Sequence, residues 1–229
     1  REAGTYYVDV YLRRVPLSNS GVAVTFRAGL TDPTTVQVRA RNGVGMLPGP
    51  RMLVRAGDTA YVHLKSFDTY MNARPYRSLS DADAYKASMQ GVENIQVADL
   101  KNGGYHVVFS PTTTGLFSVD VRLAGATVVS VPVTVTSSTF FAKASALVAS
   151  STTVQAGNFF HINITAKDVY GNLYDKGGLL LLAEASGASH AADEASGVFG
   201  SPALYTARLA MTETGAYSVT VTHDGETIG

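Results

Sequence analysis

Cysteine is absent from the 229-residue chain. Its absence excludes a disulfide framework, a thiolate metal site and a cysteine nucleophile. Small secreted β-domains often carry disulfides, so the lack of cysteine favours a reducing compartment. The preference is weak, because domains of about 100 residues fold without such bridges.

Net charge and long apolar runs are missing as well. Eighteen Lys and Arg balance eighteen Asp and Glu, which removes the electrostatic case for nucleic acid or an anionic membrane surface as a partner. The longest apolar runs, such as Leu179–Ala183, are far shorter than the roughly 20 residues of a spanning helix. No basic-then-apolar leader follows Arg1, so the sequence predicts no secretory signal and no membrane insertion in this segment.

Motifs for catalysis or metal binding are scarce. Histidines occur at positions 63, 106, 161, 190 and 223, and none are spaced as His-x-His or His-x-x-x-His. Asp81-Ala82-Asp83 begins like a calcium loop, but the glycine and glutamate that such a loop needs at its sixth and twelfth places are missing. There is no Gly-x-Ser-x-Gly and no phosphate-binding glycine loop. The sequence therefore predicts a chain that is not an enzyme and holds no cofactor and no metal.

What the chain does contain is a repeat of one hundred residues. Ala56-Gly57 returns as Ala156-Gly157, and Thr114–Val119 returns as Thr214–Val219. The same offset applies to matches from position 56 to position 127, with no net insertion. Gly4–Val10 matches the late part of the repeat. We therefore expect a tail of a preceding repeat at 1–39, a complete repeat at 40–138 and a third copy at 139–229 that stops in its last hairpin, within a longer protein.

Within each copy the apolar residues alternate with a period of two. Val62 and Leu64 alternate with His63 and Lys65, which is typical of a half-buried antiparallel strand. Short strands are separated every 8–12 residues by turn residues such as Asp224-Gly225. The pattern predicts an all-β fold of tandem β-sandwiches, in which Ser80–Ser88 is the one candidate for a helical turn.

The order of these motifs resembles the filamin (ABP280) repeat, an immunoglobulin-like β-sandwich of about 100 residues. The resembling residues include Ala56-Gly57 and Ala156-Gly157, the Asp-x-x-Gly-Asn corner at 168–172, Asn102–Tyr105 and the closing Pro132–Val135. The resemblance covers essentially the whole chain and implies tandem immunoglobulin-like sandwiches. Two departures stand out. Copy three has Gly200-Ser201-Pro202 where copy two has Asn102-Gly103, and Met71 occupies the place of Gly171 and is expected to need a different backbone conformation.

The resemblance implies a non-enzymatic structural segment that acts as spacer and protein-docking surface, with other proteins and neighbouring repeats as partners. Its commonest setting is cytoplasmic, in the cytoskeleton or the cilium. The alternative is the ectodomain of a cell-surface adhesion protein such as a gamete adhesion receptor. The missing cysteine favours the first, and the glycosylation sequon Asn163-Ile164-Thr165 favours the second. An enzyme that carries such repeats as accessory domains stays open.

The corner after the second strand of each sandwich is predicted to be structural. Its residues are Asp68, Asn72, Asp168, Gly171 and Asn172. An acid that recurs once per repeat at the end of a strand is expected to accept hydrogen bonds from the backbone of the turn. Gly171 is expected to have a positive φ.

A leucine run is the predicted protein-binding site. It comprises Leu179, Leu180, Leu181, Leu182 and Ala183. In filamin-like repeats this place lies near an edge strand. Leucine at both parities means that some leucine side chains are either exposed or covered within the chain by a neighbouring repeat or a loop. A partner could add to such an edge as a further strand. Counting 100 residues back leads to Leu79–Tyr85, in which Ser80–Tyr85 carries Asp81 and Asp83 and is expected to be inert.

Overall fold

The computed structural model describes residues 2–17, 21–42, 45–46, 51–74 and 83–229. The chain divides into two units. Unit 1 comprises Arg1–Val54, Asp58–Ser110 and Leu116–Thr134, and unit 2 comprises Arg55–Gly57, Pro111–Gly115 and Val135–Gly229. Within the described ranges the regular elements are β-strands and one short 3-10 turn, Ala142–Ala144, so the prediction of an all-β fold is confirmed. Ser80–Ala82 of the expected helical turn lie outside the described residues, and Tyr85–Met89 is a strand.

The strands up to Thr136, which apart from a few terminal residues belong to unit 1, form two larger sheets and two two-stranded sheets. In chain order they are β1 Gly4–Val8, β2 Tyr11–Leu12, β3 Val15–Pro16, β4 Val22–Phe26, β5 Gln37–Asn42, β6 Gly45–Met46, β7 Met52–Arg55, β8 Ala60–Lys65, β9 Tyr85–Met89, β10 Gln96–Asp99, β11 Gly104–Phe109, β12 Gly115–Leu123 and β13 Ala126–Thr136. The larger sheets have the orders β10-β11-β8-β5-β6 and β7-β13-β12-β9, and β1 pairs with β4 and β2 with β3. In chain order, the first strand of the five-stranded sheet is β5, which begins at Gln37; this residue pairs with Lys65 on β8.

The core of unit 1 follows from the alternation in the sequence. Val62 and Leu64 on β8 are fully buried, while His63 between them is only partly buried. β12 and β13 bury their apolar residues in the same way, through Val119, Val121, Val131 and Val133. Side chains that alternate in this way point to opposite faces of a strand, so each sheet presents one apolar face for packing.

Unit 2 is a second sandwich of two four-stranded sheets. Its strands are β14 Ala146–Ala149, β15 Phe159–Thr165, β16 Leu182–Ser186, β17 His190–Glu194, β18 Ser196–Val198, β19 Ser201–Ala210, β20 Ser218–His223 and β21 Glu226–Thr227. The sheet orders are β14-β15-β19-β18 and β17-β16-β20-β21. One buried cluster draws on both sheets, with Ile162, Ile164 and Leu209 from the first and Ala183 and Val221 from the second.

The repeat offset is not constant along the sandwich. Arg122 pairs with Lys86 in unit 1 and Thr222 pairs with Leu182 in unit 2, so Lys86 corresponds to Leu182 at an offset of 96. A second observation agrees, because the backbone N–H of Asp83 donates to the Tyr105 hydroxyl at 2.8 Å and that of Leu179 donates to the Tyr205 hydroxyl at 3.1 Å. The counterpart of Leu179–Ala185 is therefore Asp83–Met89, and the expected match with Leu79–Tyr85 is wrong.

Candidate functional site

The corner that follows β15 is organised around one buried carboxylate. Asp168 Oδ1 accepts hydrogen bonds from the backbone N–H groups of Tyr170 and Asn172, each at 2.9 Å. Its Oδ2 accepts the N–H of Ser138 at 2.8 Å. The Asn172 side-chain amide also donates to both carboxylate oxygens. Gly171 has a φ of +82°, in the left-handed region expected for it. A carboxylate with all these donors can fix the turn and the chain that enters the sandwich.

Unit 1 contains the same corner after β8. Asp68 Oδ1 accepts the N–H groups of Tyr70 and Asn72 at 2.9 Å, and Oδ2 accepts the N–H of Gly29 at 2.9 Å. Met71 has a φ of +65°. It therefore adopts the left-handed conformation of Gly171, and the expectation of a different backbone at this position is wrong. That these corner residues act structurally stays a prediction, which the substitutions below test.

The electrostatics of the two corner carboxylates follow from these contacts. Burial by itself would raise the pKa of Asp68, but the hydrogen bonds from Asn72, Gly29 and Tyr70 outweigh it and lower the pKa to about 2. For Asp168, burial also acts to raise the pKa, and donors from Asn172, Ser138 and Tyr170 lower it overall. Both side chains are buried and ionised at neutral pH. A carboxylate in this state is a poor proton donor or acceptor, so neither suits general acid–base chemistry.

The asparagine of each corner reaches a second turn. In unit 2, Asn172 Oδ1 accepts the N–H of Thr114 at 3.1 Å and its Nδ2 donates to the Thr112 carbonyl at 2.8 Å. In unit 1, Asn72 Oδ1 accepts the N–H of Ala3 at 2.7 Å. Ala3 and Thr114 each precede the glycine that begins the matching strand, β1 or β12. In each unit, the backbone N–H of the residue before that glycine donates a hydrogen bond to the corner asparagine. We call this contact the corner clamp.

A tyrosine completes the clamp in unit 2. A Cβ built on Gly57, whose φ is +86°, would overlap the Tyr170 hydroxyl and lie 2.7 Å from two of its ring carbons. Only glycine therefore allows the ring to approach the backbone here. The sequence analysis identified the corner but not the turn at Thr112–Gly115 that it contacts. The recurrence of Gly57 and Thr114 at an offset of 100 was a signal for these contacts.

The leucine run leads into β16, which begins at Leu182 and does not lie at a sheet edge. β16 pairs with β17 on one side and with β20 on the other, so the expectation that this strand is open to strand addition is wrong. Leu181 and Ala183 are fully buried, whereas Leu180 is 69% exposed and Leu182 is 41% exposed. Leu179 donates its N–H to the Tyr205 hydroxyl. The run is thus divided between core and surface, and a contact role for its exposed members stays a prediction.

The outer strands of these sheets differ between the two units. In unit 2 the outer strand is β17, which carries Asp193 and Glu194, and charges on an edge strand discourage unwanted pairing. In unit 1, β9 is the last strand of its sheet among the described residues. The segment expected to be inert, Ser80–Tyr85, lies partly outside the described residues, at 80–82. Asp83 accepts a hydrogen bond from the Thr31 hydroxyl at 2.6 Å and lies 3.8 Å from Arg74.

The histidines form one cross-strand pair that sequence spacing did not show. His63 on β8 lies opposite His106 on β11, with 5.0 Å between the ring centres. Burial lowers the pKa of His63, helped by His106 and nearby cations. In unit 2 the matching positions are Asn163 and Thr206, whose side chains hydrogen-bond at 3.1 Å. No group of three or more His, Asp or Glu side chains that could hold a metal ion occurs among the described residues.

Comparison with known proteins gives structural matches alone. No family model matches the chain, and no curated protein does so. The chain is similar to FdeC, an adhesin of Escherichia coli, with a TM-score of 0.57 and 20% identity over 98% of this chain and 71% of that chain. It is also similar to invasin, a bacterial integrin-binding protein, with a TM-score of 0.56 and 18% identity over 90% of this chain and 40% of that chain.

These matches show a fold, tandem immunoglobulin-like β-sandwiches, as the sequence predicts. They leave the filamin resemblance unconfirmed. They contradict the expected cytoplasmic, cytoskeletal or ciliary localisation, because the proteins that share this fold are a bacterial adhesin and a bacterial integrin-binding protein. Among the described residues, no helix is long and apolar enough to cross a membrane.

Proposed function

We propose that this chain is a non-enzymatic segment of an extracellular adhesion protein, in which linked immunoglobulin-like domains act as spacer and protein-docking surface. The observation that carries the proposal is the extent of the likeness to the Escherichia coli adhesin, which runs over 98% of the chain and so includes both units. The domain boundaries we propose are 1–39, 40–138 and 139–229.

The chemistry of the corners supports a structural use of the polar residues. Asp68 and Asp168 are the buried carboxylates among the described residues, and each has its oxygens occupied by backbone and amide donors. Their hydrogen bonds stabilise turns and leave no basic oxygen for a substrate. We therefore assign the protein-docking function of the segment to its surface residues.

An exposed aromatic residue is the candidate contact on unit 2. Phe199 and Gly200 form the two-residue turn between β18 and β19, because Val198 pairs with Ser201. The Phe199 side chain is fully exposed, and the neighbouring Val198 is 42% exposed. Aromatic side chains supply much of the binding energy in protein interfaces. A phenylalanine at the tip of a hairpin is well placed to enter a pocket on a partner protein.

The location is tested by labelling. An antibody raised against residues 1–229 is applied to intact and to permeabilised cells that produce the protein. We expect labelling of intact cells, with loss of the signal after brief treatment of the cells with protease. Labelling that requires permeabilisation would contradict the proposal.

The contact is tested by adherence of the purified chain to intact epithelial cells. We expect saturable binding that Phe199→Ser reduces at least fivefold. The matched control is Leu116→Ser, because Leu116 is another highly exposed apolar side chain, 83% exposed, and its replacement should leave binding unchanged. Equal binding by both variants would remove Phe199 from the interface, and absence of saturable binding by the unmodified chain would contradict the adhesion role.

A further inference from the structure

We propose that the turn Met211–Gly215, together with Gly157, is a receiving surface for the Asp-x-Tyr-x-Asn corner of another domain of this repeat type. The proposal goes beyond the adhesion role and does not depend on it. It rests on the corner clamp, which occurs twice in this chain, and on a third copy of the receiving surface that is intact and unused among the described residues.

The occupied receiving surface in unit 2 has three recognisable parts. The N–H of Gly57 donates to the Pro111 carbonyl at 2.7 Å, which joins the glycine to the turn. The Thr114 N–H and the Thr112 carbonyl bind the two ends of the Asn172 amide. Gly57 leaves room for the Tyr170 ring.

The same parts recur one hundred residues later. The N–H of Gly157 donates to the Met211 carbonyl at 2.8 Å, and Gly157 has a φ of +86°, the value found at Gly57. Thr212, Thr214 and Gly215 repeat Thr112, Thr114 and Gly115 without a change. The backbone that receives a corner in one place is therefore built again in the other.

The surface formed by Met211–Gly215 and Gly157 is open. A Cβ built on Gly157 would have no heavy atom within 4 Å, whereas at Gly57 it would overlap Tyr170. No described residue accepts the Thr214 N–H or donates to the Thr212 carbonyl. A groove beside this turn is lined by Val154, Ala156, Phe160, Met211 and Tyr217. An amide donor and acceptor next to an apolar groove suit the asparagine and tyrosine of a corner.

The occupant is a corner with tyrosine in the third place and asparagine in the fifth. Both corners of this chain have those residues, as Asp68-Thr69-Tyr70-Met71-Asn72 and Asp168-Val169-Tyr170-Gly171-Asn172. The carboxylate of each fixes the asparagine through two hydrogen bonds from its amide. The amide is thus oriented before it binds, which lowers the entropic cost of docking.

The test extends the complete chain by one further copy. Residues 130–229 are joined after Gly229, because Gly229 matches Val129 in the repeat and Ser130 is then the next residue in register. Amide hydrogen exchange is followed by NMR at Thr114 and Thr214 in the original chain and in the extended chain. Thr114, whose N–H is bonded to Asn172, is the internal reference.

We expect the Thr114 amide to exchange slowly in both chains, and the Thr214 amide to slow by about tenfold or more on extension, because a hydrogen-bonded amide must open before it exchanges. Asn172→Ala in the appended copy should restore fast exchange at Thr214 and leave Thr114 slow. The same change in the original copy should release Thr114 alone. Fast exchange at Thr214 beside slow Thr114 in the extended chain would overturn the proposal. Fast exchange at Thr114 in the original chain would overturn the clamp itself.

Discussion

The corners of unit 1 and unit 2 have the same hydrogen bonds but differ in the residue at their tightest point. The Met71 N–H donates to the Asp68 carbonyl at 2.9 Å, and the Gly171 N–H donates to the Asp168 carbonyl at 3.0 Å. Both residues are left-handed, with φ of +65° and +82°. The left-handed region costs a residue with a Cβ about 1–2 kcal/mol. We therefore propose that the carboxylate and its donors determine the conformation of the corner and that the residue at the fourth place adapts to it.

The largest effect is expected from removing the carboxylate. Asp168→Ala leaves the N–H groups of Tyr170, Asn172 and Ser138 without their acceptor. We expect unit 2 to lose about 3–5 kcal/mol of unfolding free energy, since each unsatisfied buried donor costs about 1–3 kcal/mol. Hydrogen exchange at core amides of β15 measures this loss. Asp168→Asn, which keeps one acceptor oxygen, should lose less, and a loss below about 1 kcal/mol for the alanine variant would refute the role of the carboxylate.

A smaller effect is expected from a β-branched residue at the glycine. Gly171→Val should lower the unfolding free energy of unit 2 by about 1–3 kcal/mol, because valine is strained at a positive φ. No heavy atom lies within 4 Å of a Cβ at this position, so the loss reports conformation and not a clash. Denaturant unfolding measures it, with Gly171→Ala as the milder control. A silent valine substitution would mean that the backbone here is not constrained.

The reverse change should stabilise unit 1. Met71→Gly removes the strain of a side chain at positive φ, and Met71 is 53% exposed, so little buried area is lost. We expect a gain of up to about 1 kcal/mol in unfolding free energy. Thermal unfolding of the variant and the unmodified chain compares the two. A clear loss of stability would show that the methionine side chain contributes packing that its exposure does not suggest.

The smallest effect on stability is expected in the leucine run. Leu180 corresponds to Ala84 at the offset of 96, and both side chains are exposed. Leu180→Ala makes unit 2 like unit 1 at this place and should change its unfolding free energy by no more than about 0.5 kcal/mol. Leu180→Asp tests the contact role in the adherence assay. Unchanged adherence of a folded Leu180→Asp variant would remove this residue from the binding surface.

The sequence predicts those features that depend on local chemistry. Alternation at Val62 and Leu64 indicates strands with one buried face, and the position of Asp168 at the end of a strand indicates a carboxylate that caps a turn. The positive φ of Gly171 follows from the same reasoning. These features need only the residue and its near neighbours in the chain.

Features that depend on distant partners were not predicted. A count of one hundred residues made Ala82 the equivalent of Leu182 in the preceding repeat, whereas strand pairing shows that the equivalent residue is Lys86. Register is set by the partner strand and not by chain length. The central position of β16 depends on β17, which pairs along its outer side. The backbone conformation of Met71 was predicted wrongly because a residue with a Cβ intrinsically disfavours a positive φ. That prediction took no account of the hydrogen bonds that Asp68 accepts from Tyr70 and Asn72.

The claim that carboxylates held by their donors fix the corners is tested most directly by NMR titration of the Asp68 and Asp168 side chains in the full chain. A pKa below the unfolded value means that the corner stabilises the fold fully above about pH 4 and that this contribution is lost as pH falls through the folded pKa. We expect Asp68 to titrate at about 2 and Asp168 below 3.8. Titration of both side chains at 3.8 in the folded chain would contradict the account.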